Sequence, residues 1–292
     1  MSPLTSLWIS WLFTSTWPIA GQSGVNSISP VLFAWISAFL GALYFVPWAY
    51  RNTAWKKFAR RDIIINLAGL GLFGSALPVV LFFFALQYTT PANAAILAQS
   101  EIVYSIILST LVLRERLGAA QLTGTLMVLS GTILVAFNER FSPRWTGDLI
   151  VICTPWMYQV SHIYAKKLPA DCPPEFIAAA RTFYGTLFLT PLMLFSLFSP
   201  GFKFFITPGS VSAMLYWGLI LAGFNNVLWY KAIRNMELSK ASAIILSYPA
   251  MTTFLSWVLG RETLHGYQLA GLSISMAGAY WVTMLAKSSA KK

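Results

Sequence analysis

The sequence predicts an all-α, polytopic membrane protein whose ten transmembrane helices form two inverted five-helix repeats. Three observations carry that expectation. Only 10% of the 292 residues are charged and 57% are hydrophobic, with a mean hydropathy of +0.65. A water-soluble domain covers its core with roughly 25% charged residues, and this chain has too few to do so. Apolar runs long enough for a helix to cross a hydrocarbon layer, roughly 20 residues each, follow one another along the chain. A phrase also occurs twice: "RERLGAAQLTG" at 114–124 returns as "RETLHGYQLAG" at 261–271. Arg114, Glu115, Leu117, Gln121, Leu122 and Gly124 each recur 147 residues later.

The first run, 4–21, is interrupted by Pro18. No Lys or Arg precedes it, which argues against a cleaved signal peptide and its cationic leader. The second, 30–50, contains Ser37, Gly41 and Pro47 and stops at the cationic cluster "RNTAWKKFARR", 51–61. The third, 63–86, contains Asn66, and the fourth, 91–113, contains Glu101 and ends at Arg114-Glu115. The fifth, 118–138, carries Gly124 and Gly131 and completes a first repeat, 1–138. A linker at 139–147 leads to the second repeat, 148–286. Its runs are 148–167 with Pro155 and His162, 175–199 with Arg181, 209–231 with Asn225-Asn226, 238–260 with Tyr248-Pro249, and 266–286. A basic tail, 287–292, follows.

The net charge of +11 reports topology rather than nucleic-acid binding. The cations fall in clusters between apolar runs, not along one helix interleaved with aromatics. With the N-terminus inside, fifteen Lys and Arg fall on cytoplasmic segments and four outside. Both termini are therefore expected in the cytoplasm. Cys153 and Cys172 have no CxxC or Cys/His spacing, so neither a metal site nor a cofactor is expected.

Five spans per repeat is an odd number, so the second copy enters the membrane in the opposite sense. The duplication runs beyond the opening phrase. Gly131 and Ser100 meet Gly278 and Ser247 at a spacing of 147, while Gly41 and Pro47 meet Gly185 and Pro191 at 144. Inverted repeats recur in carriers, where rocking one half against the other opens a midplane site to each side in turn.

The stretches that carry the duplication, "ALQYTTPANAAILAQSEIVYSIILSTLVLRERLGAAQLTGTLMVLSGTILVAF" and "AIILSYPAMTTFLSWVLGRETLHGYQLAGLSISMAGAYWV", resemble the EamA type of the drug/metabolite transporter superfamily. The likeness rests on the short helix, the Glu after the fourth span, the Gln-x-x-Gly entry to the fifth, and the later Gly. It implies a plasma (inner) membrane exporter of amino acids, related metabolites or drugs. Members often carry an Arg in the second span of each half. Here Arg181 has Ser37 as its counterpart, which breaks that symmetry.

Glu101 is the leading site residue, because a bare carboxylate inside a span costs roughly 2.5 to 3.5 kcal/mol and must face a cavity, a partner or a proton. Ser105 and Ser109 follow it at i+4 and i+8, with Tyr104 beside them, and the repeat matches this stripe with Tyr248, Thr252 and Ser256. Two polar stripes point to a shared cavity, the alternative being hydroxyls bonded to their own helices. Trp17, Trp156, Tyr158 and Asn225 are further candidates for the substrate cavity. Glu101 and His162 are candidates for proton coupling. Most of the 12 Trp, such as Trp48, Trp55 and Trp145, are expected to anchor at the interfaces. Arg181 is expected to snorkel to the cytoplasmic surface, with anion capture as the alternative.

The function expected is secondary transport of a small organic metabolite, exported by alternating access and drawing on a gradient, since no GxxxxGK[ST] loop is present. The alternatives are a polytopic membrane enzyme or a non-transporting partner protein. Against the enzyme stands the absence of HExxH or of clustered carboxylates in the loops. The expected partners are the bilayer, a small molecule and protons; the sequence leaves the oligomeric state open.

Overall fold

A computed structural model of the chain describes residues 1–16, 20–21, 24–85, 88, 97–115, 117–136, 145–258 and 265–285. Trp17, Pro18, the expected 139–147 linker up to Arg144, the second phrase from Arg261 to Leu264, and the tail lie outside the described residues. The described residues are helical, apart from turns and one isolated antiparallel bridge between Ile28 and Phe204.

Helix starts follow local chemistry. Proline occupies the first turn of the helices beginning at Pro3, Pro30, Pro155, Pro174 and Pro208, where its missing N–H costs nothing. Thr207 and Ser210 form a reciprocal cap: Ser210 N donates to Thr207 Oγ1 at 3.0 Å and Thr207 N to Ser210 Oγ at 2.8 Å.

Among the described residues four helices are long and apolar enough to cross a membrane: Pro30–Arg51, Ile64–Phe82, Pro174–Ser196 and Pro208–Ile233. Two of them change pitch. Leu72–Ala76 and Tyr216–Asn225 are π-helical, and their first residues stand 144 apart, the offset of the glycine and proline matches. Ser100–Leu113 and Ala119–Leu134 are apolar but shorter. The expected sixth span is two helices, Trp145–Cys153 and Pro155–Lys167, and the ninth is also two, Leu238–Ile245 and Tyr248–Val258. Large apolar side chains cover the outside, with Leu111 73% and Phe195 77% exposed. In water such a surface would aggregate; in lipid it is the solvated face.

The tightest helix pair is Ala119–Ala136 against Gly266–Leu285. A Cβ on Gly124 would sit 3.0 Å from the carbonyl of Gly278, and one on Gly131 would sit 2.6 Å from that of Gly271. The contact is reciprocal, since Gly124 matches Gly271 and Gly131 matches Gly278 in the sequence repeat. Without a hydrophobic drive between helices in lipid, backbone-to-backbone packing of this kind supplies the association.

The cation-rich loops gather at one end of the bundle. Asp171 takes Lys57 at 3.1 Å and Arg60 at 2.7 Å, and these bonds, Lys57's first, hold its carboxyl below the usual range. Arg234 donates to the carbonyls of Ala165, Leu168 and Pro169. The Asp171 pairs are exposed, so Asp171→Asn should shift the melting temperature by no more than about 2 °C, which thermal unfolding in detergent would check.

Candidate functional site

The site is organised by two broken helices. The fourth span turns at Ala98 and Gln99 and resumes as Ser100–Leu113; the ninth turns at Leu246 and Ser247 and resumes as Tyr248–Val258. The two breaks are 148 residues apart, within one residue of the repeat's spacing of 147. Both are tightened by i→i−3 bonds, Glu101 N to Ala98 O at 3.0 Å and Ser247 N to Ile244 O at 3.2 Å. Pro249 lacks the N–H that would have continued the ninth helix. Sequence reasoning put Glu101 near mid-helix. The structure instead puts it in a first turn, where aligned amides favour a carboxylate.

Around these breaks lies a cavity of about 250 Å³. One acid, Glu101, and one strong base, Arg181, line it. Its walls include Phe33, Phe82, Tyr158, Trp217, Trp229 and Tyr248, with Ser10, Thr14, Ser37, Asn225 and Asn226 as the polar complement. Gln159 Nε2 donates to Glu101 Oε1 at 2.8 Å. Arg181 donates to Ser75 Oγ at 3.2 Å, Asn226 Oδ1 at 3.3 Å, Tyr230 OH at 3.2 Å and the carbonyl of Gly74. Among the described residues neither charge has an ion pair within 4.0 Å. Among the described residues the buried lining atoms Ser10 Oγ, Ser37 Oγ and Asn225 Oδ1 find no protein partner. A guest with matching donors and acceptors would satisfy them, and leaving them bare is costly.

Of the sequence candidates, Glu101, Tyr158, His162, Asn225 and Tyr248 come together on this cavity. His162 is buried, and its Nδ1 accepts from Trp229 Nε1 at 3.3 Å. Four others fall elsewhere. Ser105, buried one turn along from Glu101, and Tyr104 beside it both stay out of the lining. Thr252 Oγ1 donates to the carbonyls of Ser15, at 2.6 Å, and Tyr248, at 3.1 Å, so it fastens helices instead of facing the cavity. Trp156 packs on Phe73, ring centroids 5.9 Å apart. Trp17 lies outside the described residues.

Arg181 corrects the expectation of a surface-seeking side chain. Gly74, Ser75, Asn226 and Tyr230 offer polar groups within its reach, so it points inward. Ser37, its counterpart at a spacing of 144, lines the same cavity. Thr14, Trp217 and Trp229 carried no comparable sign. Among the described residues no group of three or more His, Cys, Asp or Glu could hold a metal, and both cysteines are free.

Apolar helices converging on a polar cavity make this an integral membrane protein of the transporter type. The chain matches the EamA-like transporter family over residues 2–137 and 145–284 and belongs to it. An uncharacterized transporter of Archaeoglobus fulgidus is 26% identical over 89% of this chain and 90% of its own length. A Salmonella typhimurium protein named a probable amino-acid metabolite efflux pump is 24% identical over 73% and 75%. A solved crystal structure shares the fold, with a TM-score of 0.80 and 20% identity over 98% of each chain.

Proposed function

We propose that this protein exports a small zwitterionic metabolite, an amino acid or a close relative, across the plasma (inner) membrane by alternating access. The observation that carries the proposal is the pairing of Glu101 and Arg181 on one aromatic-walled cavity. A carboxylate faces the guest's ammonium, a guanidinium its carboxylate, and the aromatic walls its apolar part. In the low-dielectric interior, a guest carrying both charges offsets each wall charge without leaving one buried alone. The relative named as an amino-acid metabolite efflux pump supports the substrate class.

In this proposal ten spans form two halves, 1–138 and 148–286, related by an axis in the membrane plane, with both termini cytoplasmic. The reciprocal glycine contacts, the helix breaks 148 residues apart and the π-helical segments 144 apart support that relation. Broken helices lining a site between halves are what such carriers use. Glu101, with His162 beyond it, is the candidate proton-coupling route.

The test is exchange of labelled amino acids, amines and organic acids in proteoliposomes. Saturable exchange of an amino acid is expected. Glu101→Gln keeps the shape and the contact with Gln159 but loses the charge, so exchange should fall by about tenfold to a hundredfold, the value of a charge-assisted hydrogen bond. Flux that does not saturate, or amines and acids carried equally well, would overturn the proposal.

A further inference from the structure

On two helices the cavity lining lies away from the cation-rich end: Phe33–Ala38 come early in Pro30–Arg51, which runs toward that end, and Gly74–Phe82 come late in 64–85, which runs away from it. Arg181 and Trp229 carry the lining deeper, to the middle of the bundle. Between the cavity and the cation-rich end lies a dry core that includes Leu7, Leu67, Leu70, Ile163, Tyr230 and Ile244.

Beneath that core, one carboxylate joins the first repeat to the second. Glu115 Oε1 accepts from Lys166 Nζ at 3.0 Å and Leu238 N at 2.7 Å, and its Oε2 accepts from Ser239 N at 3.1 Å and Ser239 Oγ at 2.8 Å. Gln121 Nε2 also donates to Ser239 Oγ, at 2.8 Å, and Lys166 Nζ to Met236 O, at 2.8 Å. The Leu238–Ile245 helix has no cap from its own N-cap side chain, so its first amides depend on a residue 123 positions away. Burial pushes the Glu115 carboxyl up, but Lys166 and the two amides outweigh it and hold the group below the usual carboxylate range. The chain reaches this position through Arg114, a non-glycine residue in the left-handed region at φ 55°, a conformation that persists where its surroundings demand it.

We infer that Glu115 is a latch that keeps the cavity closed toward the cation-rich end and must let go of Leu238 and Ser239 in every transport cycle. The inference rests on the alternating-access proposal.

The experiment uses the full chain with Cys153→Ala, Cys172→Ala and a reporter, Ala34→Cys, on the cavity wall. A membrane-impermeant maleimide is applied to right-side-out and inside-out vesicles. The parent should react from the face opposite Glu115, and Glu115→Ala should raise the rate from the Glu115 face about tenfold or more. Lys166→Met should do the same to a smaller degree. If Glu115→Ala lowers the yield of folded protein, Glu115→Gln, which keeps the shape, is read in its place. A one-sided parent that ignores every Glu115 and Lys166 substitution would overturn the latch and leave alternating access standing. A parent labelled equally from both faces would overturn alternating access itself.

Discussion

Arg181→Ala should all but abolish saturable exchange, lowering it by about a hundredfold or more in proteoliposomes. The guanidinium is the strong base of the cavity and is held by four neutral groups instead of a carboxylate, so its charge is left for the guest. Four of its five N–H donors are taken by these groups; the fifth gives a guest carboxylate one charged bond, worth roughly 1.5–3 kcal/mol, and losing it also leaves that carboxylate buried without a countercharge, which together correspond to that loss. The truncation would also strand Asn226 Oδ1 and Tyr230 OH. Melting of the variant, measured alongside, separates loss of binding from loss of fold. Arg181→Lys should recover only part of the exchange, because an ammonium with three donors cannot hold Ser75, Asn226, Tyr230 and Gly74 and also meet the guest. An amine analogue without a carboxylate should be bound equally well by parent and variant. If the analogue is lost together with the amino acid, Arg181 supports the structure and does not recognise the guest.

Gly131→Ala should lower the melting temperature in detergent by several degrees. An added methyl would fall on the backbone nitrogen of Ser275 and 2.6 Å from the carbonyl of Gly271. Both are main-chain atoms of the facing helix, so no rotamer change can make room and the helices must part. Overpacking of this kind costs about 1–3 kcal/mol, and in a protein of this size each kcal/mol is worth about 2–4 °C. Gly118→Ala, where the methyl would meet nothing within 4 Å, is the control and should melt within about 1 °C of the parent. Equal melting of all three proteins would show that the glycine contact is not what holds the 119–136 and 266–285 helices together.

How much of this was legible in the sequence depends on what water and lipid impose. Membrane insertion was legible because the scarcity of charge leaves no other solvent. The long spans were legible too, since a 30 Å layer demands uninterrupted apolar length. Glu101 stood out for the same reason: a carboxylate in an apolar run needs an explanation. Helix rotation was not legible. With lipid on one face and apolar neighbours on the other, Tyr104, Ser105 and Thr252 carry no periodic sign of which way they turn. The break at Ala98 and Gln99 also shifts the phase of everything after it. Arg181 was assigned to the surface because a long cationic side chain can usually reach headgroups. Its inward course depends on Ser75, Asn226 and Tyr230, which come from two other helices and meet only in the fold.

The mismatch at Ser37 bears on stereochemistry. A chamber built from two like copies would accept its guest either way round. Here the repeat sets serine against arginine at 37 and 181, and carboxylate against phenol at 101 and 248, so neither pair is self-matching. Head and tail of the guest are thereby distinguished. With the aromatic wall as a third point of attachment, left- and right-handed forms of one molecule can no longer be superimposed on the same contacts. A pair of enantiomers should therefore compete unequally for this chamber, a selectivity that follows from a single lapse in the symmetry of a duplicated chain.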